Sequence, residues 1–353
     1  MRVVVAMSGG VDSSVAAALL ARQGHDVVGL SMQLYDQSGG ETTFGSCCTL
    51  DDLHDARRVA ARLGIPHYIV NFERKFNETV VSDFIREYAA GRTPIPCVHC
   101  NGDLKFATLV ERAASFDAPF VATGHYARVA RDETSGRYRL LRGLDRNKDQ
   151  SYFLFTLTQE QLSHAVFPVG ELDKPAVREQ ARALGLSVAD KKDSHEICFV
   201  AAGDHAAFLE GQGVARSTGE IRDVSGAVLG HHEGVHRFTV GQRKGLGLST
   251  GIPLYVVGLD APSQSVTVGP REALERNELT ASGVNWTSGI VPADGTLVTA
   301  QIRHRHREAA ATIHPIDTDR VRVEFDTPQA AIAPGQALVM YQGDEVAGGG
   351  WID

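Results

Sequence analysis

The chain opens on an unbroken apolar run, Val3-Val4-Val5-Ala6, the mark of a strand buried on both faces. Residues 14–24 follow as Ser-Val-Ala-Ala-Ala-Leu-Leu-Ala-Arg-Gln-Gly, rich in helix formers and stopped by a glycine suited to a left-handed cap. Residues 26–35 read as a second strand, with a glycine-rich polar loop after it through Ser46-Cys47-Cys48. Thr49, with Asp52 three residues on, marks a helix start; Leu53, Ala56, Ala60 and Leu63 give that helix one apolar face, and Gly64 ends it. Ile65 to Phe72 is a third strand, and Phe76, Val80 and Phe84 line a further helix at i, i+4 spacing. Pro119 to Thr123 is another strand, which delivers Gly124-His125-Tyr126 at its carboxyl end. Arg131 to Arg139 predicts a hairpin around Ser135-Gly136. Asp173 caps a helix that has Pro175 in its first turn and closes at Gly185. Strands alternating with helices of this length predict an α/β fold built on a doubly wound parallel sheet.

From about residue 206 the texture changes. Helical periodicity fades and short, glycine-punctuated strands take over, among them Val266-Thr267-Val268, Val298 to Ile302, Arg320 to Phe325 and Ala337 to Tyr341. These predict two small all-β domains. The expected division is 1–205, 206–275 and 276–353, the last a barrel-like unit. At 353 residues the chain is long enough for two or three domains. Its net charge of −8 argues against blanket attraction to nucleic acid, so any RNA contact must use local basic patches. Five cysteines suit a reducing cytosol rather than a disulfide scaffold. No run of about 18 apolar residues points to a membrane span. The first strand starts too early for a signal peptide, so the expected location is cytoplasmic.

The candidate chemistry begins between the first strand and the first helix, in Ala6-Met7-Ser8-Gly9-Gly10-Val11-Asp12-Ser13. Gly9 and Gly10 let backbone approach a ligand closely, and the unpaired N–H groups of a new helix turn attract an anion. The loop lacks the Gly-Lys-Ser/Thr of a Walker A motif and the GxGxxG spacing of a dinucleotide fingerprint. It resembles the SGGxDS pyrophosphate loop of enzymes that split ATP into AMP and pyrophosphate. Asp12 is out of place beside an anion unless it orders a turn or binds a metal carried by the phosphates.

Sulfur chemistry is the second candidate. Cys97-Val98-His99-Cys100 follows Pro94-Ile95-Pro96, whose prolines predict a stiff extended loop rather than helix core. Cys198 lies between Ile197 and Phe199, after Lys191-Lys192 and His195. Near its reference pKa of about 8.5 a thiol is mostly protonated at neutral pH, so reactivity needs cationic help, which His99, His195 and the lysines could give. Cys198 reads equally as a small buried hydrophobe, and Cys47 and Cys48 as bystanders. A third candidate is Arg303-His304-Arg305-His306-Arg307: if it continues the preceding strand, its three arginines share one face and suit a phosphate backbone. It reads equally as a charged edge strand that blocks aggregation. Gln242-Arg243-Lys244-Gly245 is a second basic stretch.

With these motifs in view, the chain resembles the tRNA-specific 2-thiouridylases over nearly its whole length. The resemblance runs through Ser8 to Ser13, Gly91-Arg92-Thr93-Pro94, Cys100-Asn101, Ala122 to Tyr126, Leu140 to Gly143, Lys148 to Leu154, Phe167 to Gly170, Ile197-Cys198-Phe199, Thr239 to Gly247 and Pro334-Gly335-Gln336. It implies thiolation of the wobble uridine of tRNA, with ATP and Mg2+ over residues 6–13 and with Met32 and Gly124 near the adenosine. The uracil oxygen would be adenylated, and a persulfide on Cys198, loaded by an upstream sulfur-donor protein, would supply sulfur. Cys100 would complete the exchange through a Cys100–Cys198 disulfide. The wobble base would leave its stack for an enclosed pocket. The implied tRNA contacts are Ile95, Pro96, Cys97, His125, Lys148, Asp149, Gln150, Arg305, His306 and Gln336. In one place the chain departs from the family: Ile95-Pro96-Cys97 stands where many members carry Asn-Pro-Asp. Ile95 cannot hydrogen-bond a base, and Cys97 adds a third thiol. Cys97, Cys100 and Cys198 could hold an iron–sulfur cluster, could bind zinc with His99 or His195, or could include a redox pair. The rival functions are an adenylating synthetase of a small metabolite and a tRNA-binding protein without catalysis.

Overall fold

The computed structural model describes residues 1–34, 49–193, 197–200 and 204–353. Cys47, Cys48, His195 and the end of the second predicted strand lie outside the described residues. In chain order the first part runs β1 (Arg2–Ala6), α1 (Val11–Arg22), β2 (Asp26–Gln33), α2 (Leu50–Leu63) and β3 (His67–Asn71). A helix in three segments follows: α3 (Glu73–Phe76), a π-helical turn Asn77–Val81, and α4 (Ser82–Ala89). Then come α5 (Pro96–His99), a π-helical segment Cys100–Phe106, α6 (Ala107–Ala114), β4 (Phe120–Ala122) and the hairpin β5 (Ala127–Arg131) and β6 (Tyr138–Arg142). The part closes with α7 (Gln159–His164), β7 (Ala165–Val166), α8 (Lys174–Ala183) and α9 (His205–Gly211).

Five parallel strands form one sheet in the order β3-β2-β1-β4-β7. Alternate residues of β1 serve opposite faces. Val3 and Val5 pack with α1, α2 and α8, whereas Val4 packs with Phe76, Val80, Cys100, Leu104 and Leu109 from the helices on the other side. A strand that must be apolar on both faces reads as an unbroken hydrophobic run, and this one does. The predicted capping box is present at α2: Thr49 and Asp52 satisfy each other's backbone N–H, and Gly64 closes the helix at φ 69°.

The second part holds a four-stranded sheet, β10 (Tyr255–Asp260), β11 (Ser265–Gly269), β8 (Gly219–Asp223) and β9 (Val228–His232) in spatial order. The third part is β12 (Glu275–Trp286), β13 (Thr296–Gln301), β14 (Ala309–Pro315), β15 (Val321–Ala330), β16 (Ala337–Gln342) and β17 (Glu345–Ile352). They pair in the order β12-β15-β14-β13-β16-β17, and β17 pairs back to β12, which closes a barrel and removes its free edges. Leu279, Val298, Ile313, Val323 and Met340 fill it. The β5–β6 hairpin joins this sheet through β6 and β17, so the first part and the barrel share one hydrogen-bonded sheet.

Two predicted elements differ. The segment 93–101 is not an extended loop throughout: Thr93, Pro94 and Ile95 are non-helical, but Pro96 opens α5 at the position where its missing N–H costs nothing, and the helix runs on through Cys100. Nor does the strand before Arg303 continue. β13 ends at Gln301, whose amide donates to the carbonyls of Arg303 and His304 and locks a turn there. The Arg303 guanidinium then turns inward to donate to the Val240 carbonyl at 2.7 Å, leaving Arg305 and Arg307 exposed without a common strand face. Among the described residues no helix is long and apolar enough to cross a membrane.

Candidate active site

β1 lies between β2 and β4, so the loop after β1 and the loop after β4 meet at the carboxyl edge, where the winding of the sheet reverses. The Ala6–Ser13 loop is tied to itself: the Ser8 N–H donates to Ser13 Oγ at 3.2 Å, and the hydroxyls of Ser13 and Ser14 donate to the Gly10 carbonyl at 3.2 and 2.8 Å. Gly9 sits at φ 75°, a left-handed conformation that favours glycine. Gly10 is the N-cap of α1 and offers no side-chain acceptor to the first-turn N–H groups, which leaves them for an anion. Met7 is buried and its N–H joins Leu30 O at 2.8 Å; Met32 is buried one strand over. Gly124 rests directly on the loop. A Cβ there would lie 2.5 Å from the Ser13 nitrogen, so we expect Gly124→Ala to push β4 away from the loop and weaken ATP binding by about tenfold or more, read as the ATP dependence of pyrophosphate release.

Asp12 has a partner that the sequence did not reveal. Lys174, the first residue of α8, places its ammonium 2.8 Å from each Asp12 carboxylate oxygen, and the Tyr126 hydroxyl donates to Asp12 Oδ1 at 2.8 Å. Burial, and then the Asp12 charge, push the Tyr126 phenol far above its ordinary pKa, so it remains a donor. Lys174 also meets Asp193 at 2.8 Å, and Lys148 meets the other Asp193 oxygen at 2.7 Å. Burial pushes the Asp193 carboxyl up, but Lys148 and Lys174 outweigh it and hold it at about 2. Lys191 completes the set, bonding the Gly9 carbonyl at 3.1 Å and Asp52 and Asp55 at 2.5 Å each. Burial alone would lower its pKa; the two carboxylates raise it instead. Lys191 is thus tied to the Ala6–Ser13 loop directly, and Asp193 through Lys174. A signal for Lys174 existed: a lysine at the positive end of a helix, beside Asp173 and Pro175, is electrostatically misplaced unless a carboxylate waits for it.

Cys100 is buried and Cys198 half-buried, and both pack in the apolar cluster that holds Ala6, Leu30 and Met32. Phe199 anchors the second cysteine edge-on to Phe76 and Phe84, at 5.6 and 5.1 Å. Cys97 points out of the same helix and is exposed. Among the described residues no three His, Cys, Asp or Glu side chains group so as to hold a metal ion, and His195 lies outside them. His99 is engaged elsewhere: its ring stacks on Trp351 at 4.4 Å, Nδ1 lies 2.8 Å from Asp103 and Nε2 3.4 Å from Asp83.

His125 follows Gly124 and shares a 2.7 Å hydrogen bond with Thr123 Oγ1. Burial, with the Lys105 charge adding to it, pushes its imidazole from 6.5 down to about 3. Between those two values the unfolded chain takes up a proton that the folded chain refuses, so stability falls as pH drops through that window. His125→Gln should flatten this part of the curve of Tm against pH.

The remaining expected RNA-contact residues divide. Arg305 is exposed and His306 half-buried. Lys148 is bound to Asp193, as above. Asp149 is turned inward, accepting from Arg142, from Gly143 N–H and from Ser151, and Gln150 Oε1 accepts the Tyr126 N–H at 3.0 Å. Gln336 is buried and donates to the carbonyls of Thr93 and Pro94. Ile95 packs against an apolar cluster with Leu154 and Phe155, and Pro96 is buried beside it.

Fold and site define an α/β protein with a glycine loop at the reversal point of its parallel sheet, two cysteines in the apolar cluster behind that edge and two β modules appended. Three family models match along the chain: a tRNA methyl transferase HUP domain over residues 1–202, a tRNA methyl transferase PRC-barrel domain over 206–270 and an aminomethyltransferase beta-barrel domain over 276–352. The chain is 54% identical to the tRNA-specific 2-thiouridylase MnmA of Solibacter usitatus, across 99% of both chains. It is 53% identical to that of Geobacter metallireducens, across 100% of this chain and 96% of the other. The chain belongs to the tRNA-specific 2-thiouridylase MnmA family.

Proposed function

We propose that this protein thiolates the wobble uridine of tRNA at the expense of ATP. The observation that carries the reading is the packing of Cys100 and Cys198 in one cluster with Ala6 and Met32, at the edge where the phosphate loop opens. An amide-like oxygen is a poor leaving group and AMP a good one, which is why sulfur insertion needs a nucleotide at the same site.

In the first half of the reaction the uracil O2 attacks the α-phosphorus, the bond to pyrophosphate breaks with its electrons on the leaving pyrophosphate, and the N3 proton passes to water. The α1 N-terminus and the loop N–H groups hold the phosphates, and Lys174 and Lys191 offset their charge. Were Mg2+ carried in by the triphosphate, Asp12 would hold it beside Lys174, the phosphates supplying the other oxygens, and the ion would offset phosphate charge. In the second half the outer sulfur of a Cys198 persulfide attacks C2 and AMP departs. The Cys100 thiolate then attacks Cys198 Sγ, the S–S bond breaks, its electrons stay on the sulfur bound to C2, and 2-thiouridine leaves behind a Cys100–Cys198 disulfide. The persulfide comes from an upstream donor protein, and a thiol reductant resets the disulfide. Exposed Arg305 and Arg307 on the barrel suit the RNA backbone.

The test is pyrophosphate release from ATP and Mg2+ with and without tRNA. Release that requires a wobble uridine supports the reading; release that is indifferent to RNA points to a metabolite synthetase, and no release in either case overturns it.

A further inference from the structure

We infer that Asn101 reads the target base. The inference rests on the function proposed above and adds to it the residue that selects uracil. Asn101 is 5% exposed, and its carboxamide oxygen is buried without a hydrogen-bond partner among the described residues. A buried acceptor left empty costs about 1–3 kcal/mol, a cost that a bound donor would remove.

Its place in the fold says where that ligand stands. Asn101 follows Cys100 in the π-helical segment Cys100–Phe106. In a π turn the bonding runs i→i+5, so residues four and five apart flank one another on one face. For Asn101 these are Lys105 and Phe106. The Phe106 ring centre is 6.3 Å from that of His125, and the Lys105 charge acts on the His125 imidazole. His125 in turn follows Gly124, which rests on the phosphate loop. Asn101 therefore lies one turn from the residues that meet the carboxyl end of β4, and next in the chain to the buried thiol. Ile95, packed among Leu154 and Phe155, offers the base no polar side chain.

The chemistry selects the ligand. Before attack, with O2 facing the α-phosphorus, uracil presents N3–H to its surroundings. Asn101 Oδ1 accepts that hydrogen bond and aims O2 at the phosphate. Cytosine presents a bare N3 acceptor, which meets Oδ1 as two lone pairs and is rejected.

The experiment measures pyrophosphate release by the full chain with tRNA carrying uridine, cytidine or 4-deoxyuridine (pyrimidin-2-one riboside, which lacks N3–H) at the wobble position. Wild type should prefer uridine over both by about 100-fold. Asn101→Ala should lose about tenfold or more on uridine while cytidine and 4-deoxyuridine change little, the preference left over reflecting the base's own need of an N3 proton to lose, with the KM for ATP unchanged. Even where the variant fails to fold, the 4-deoxyuridine arm on the wild-type chain can still refute the inference. Wild type that accepts 4-deoxyuridine as readily as uridine, or a folded Asn101→Ala that keeps the full preference, overturns it. Wild type that releases no pyrophosphate with uridine tRNA overturns the proposed function as well.

Discussion

Asp12→Ala should slow tRNA-dependent pyrophosphate release by about 100-fold or more, the scale seen when one preorganised electrostatic element is removed from a phosphoryl- or acyl-transfer site. The carboxylate fixes three things together: both of its oxygens bind the Lys174 ammonium, and one accepts the Tyr126 hydroxyl. Without it, Lys174 is pulled wholly toward Asp193 and the loop loses its link to α8. Leaving a buried charge without any partner costs about 3–5 kcal/mol. Here Asp193 still faces Lys174 at 2.8 Å, so the fold should survive and the loss should appear in kcat rather than in soluble yield. Asp12→Asn keeps a hydrogen-bond acceptor for Tyr126 and Lys174 and should fall between the two. A full rate for Asp12→Ala would remove Asp12 from the nucleotide site.

Cys198→Ser gives the opposite signature. A serine hydroxyl cannot carry a persulfide, so 2-thiouridine formation should drop below detection, while pyrophosphate release stays within about twofold of wild type because the adenylating half does not use the thiol. Cys100→Ser should also abolish turnover. In its case sulfur should still reach the base, and the product should remain joined to Cys198 through a disulfide, recoverable as a protein–RNA adduct that thiols release. Exposed Cys97, outside the buried cluster, should tolerate serine with little change. Loss of activity in Cys97→Ser equal to that in Cys198→Ser would instead favour chemistry shared by all three thiols.

Much of this architecture is legible in local sequence. The apolar run of β1, the paired glycines, the Thr49–Asp52 box and the glycine stops are all short-range signals, and each marks an element at its predicted place. What the sequence withholds is long-range. Lys174 and Asp12 are 162 residues apart, and only the packing of α8 against α1 brings them together. The β5–β6 hairpin reads as a local feature, yet it extends the sheet of the C-terminal barrel. Two local readings fail for local reasons. Pro96 reads as a helix breaker, but a proline at the first helical position starts a helix instead. The alternating arginines of 303–307 read as a strand until Gln301 and the Val240 carbonyl claim the backbone and Arg303.

The candidate site divides the same way. The loop glycines and Cys100 with Cys198 stand out by residue type. Asp149, Gln150 and Gln336 stand out equally, yet the structure gives them internal partners that shape the loops around Tyr126 and Thr93. Their substitution should therefore act through loop position.

For the proposed reaction a nucleotide-activated base and a cysteine-borne sulfur must meet in one pocket. Nucleoside mass spectrometry of tRNA incubated with the protein, ATP, Mg2+ and a persulfide donor tests that directly. The prediction is 2-thiouridine at the wobble position, formed with wild type and absent when either ATP or the Cys198 thiol is removed. Thiolated uridine appearing without ATP, or undiminished in Cys198→Ser, would contradict it.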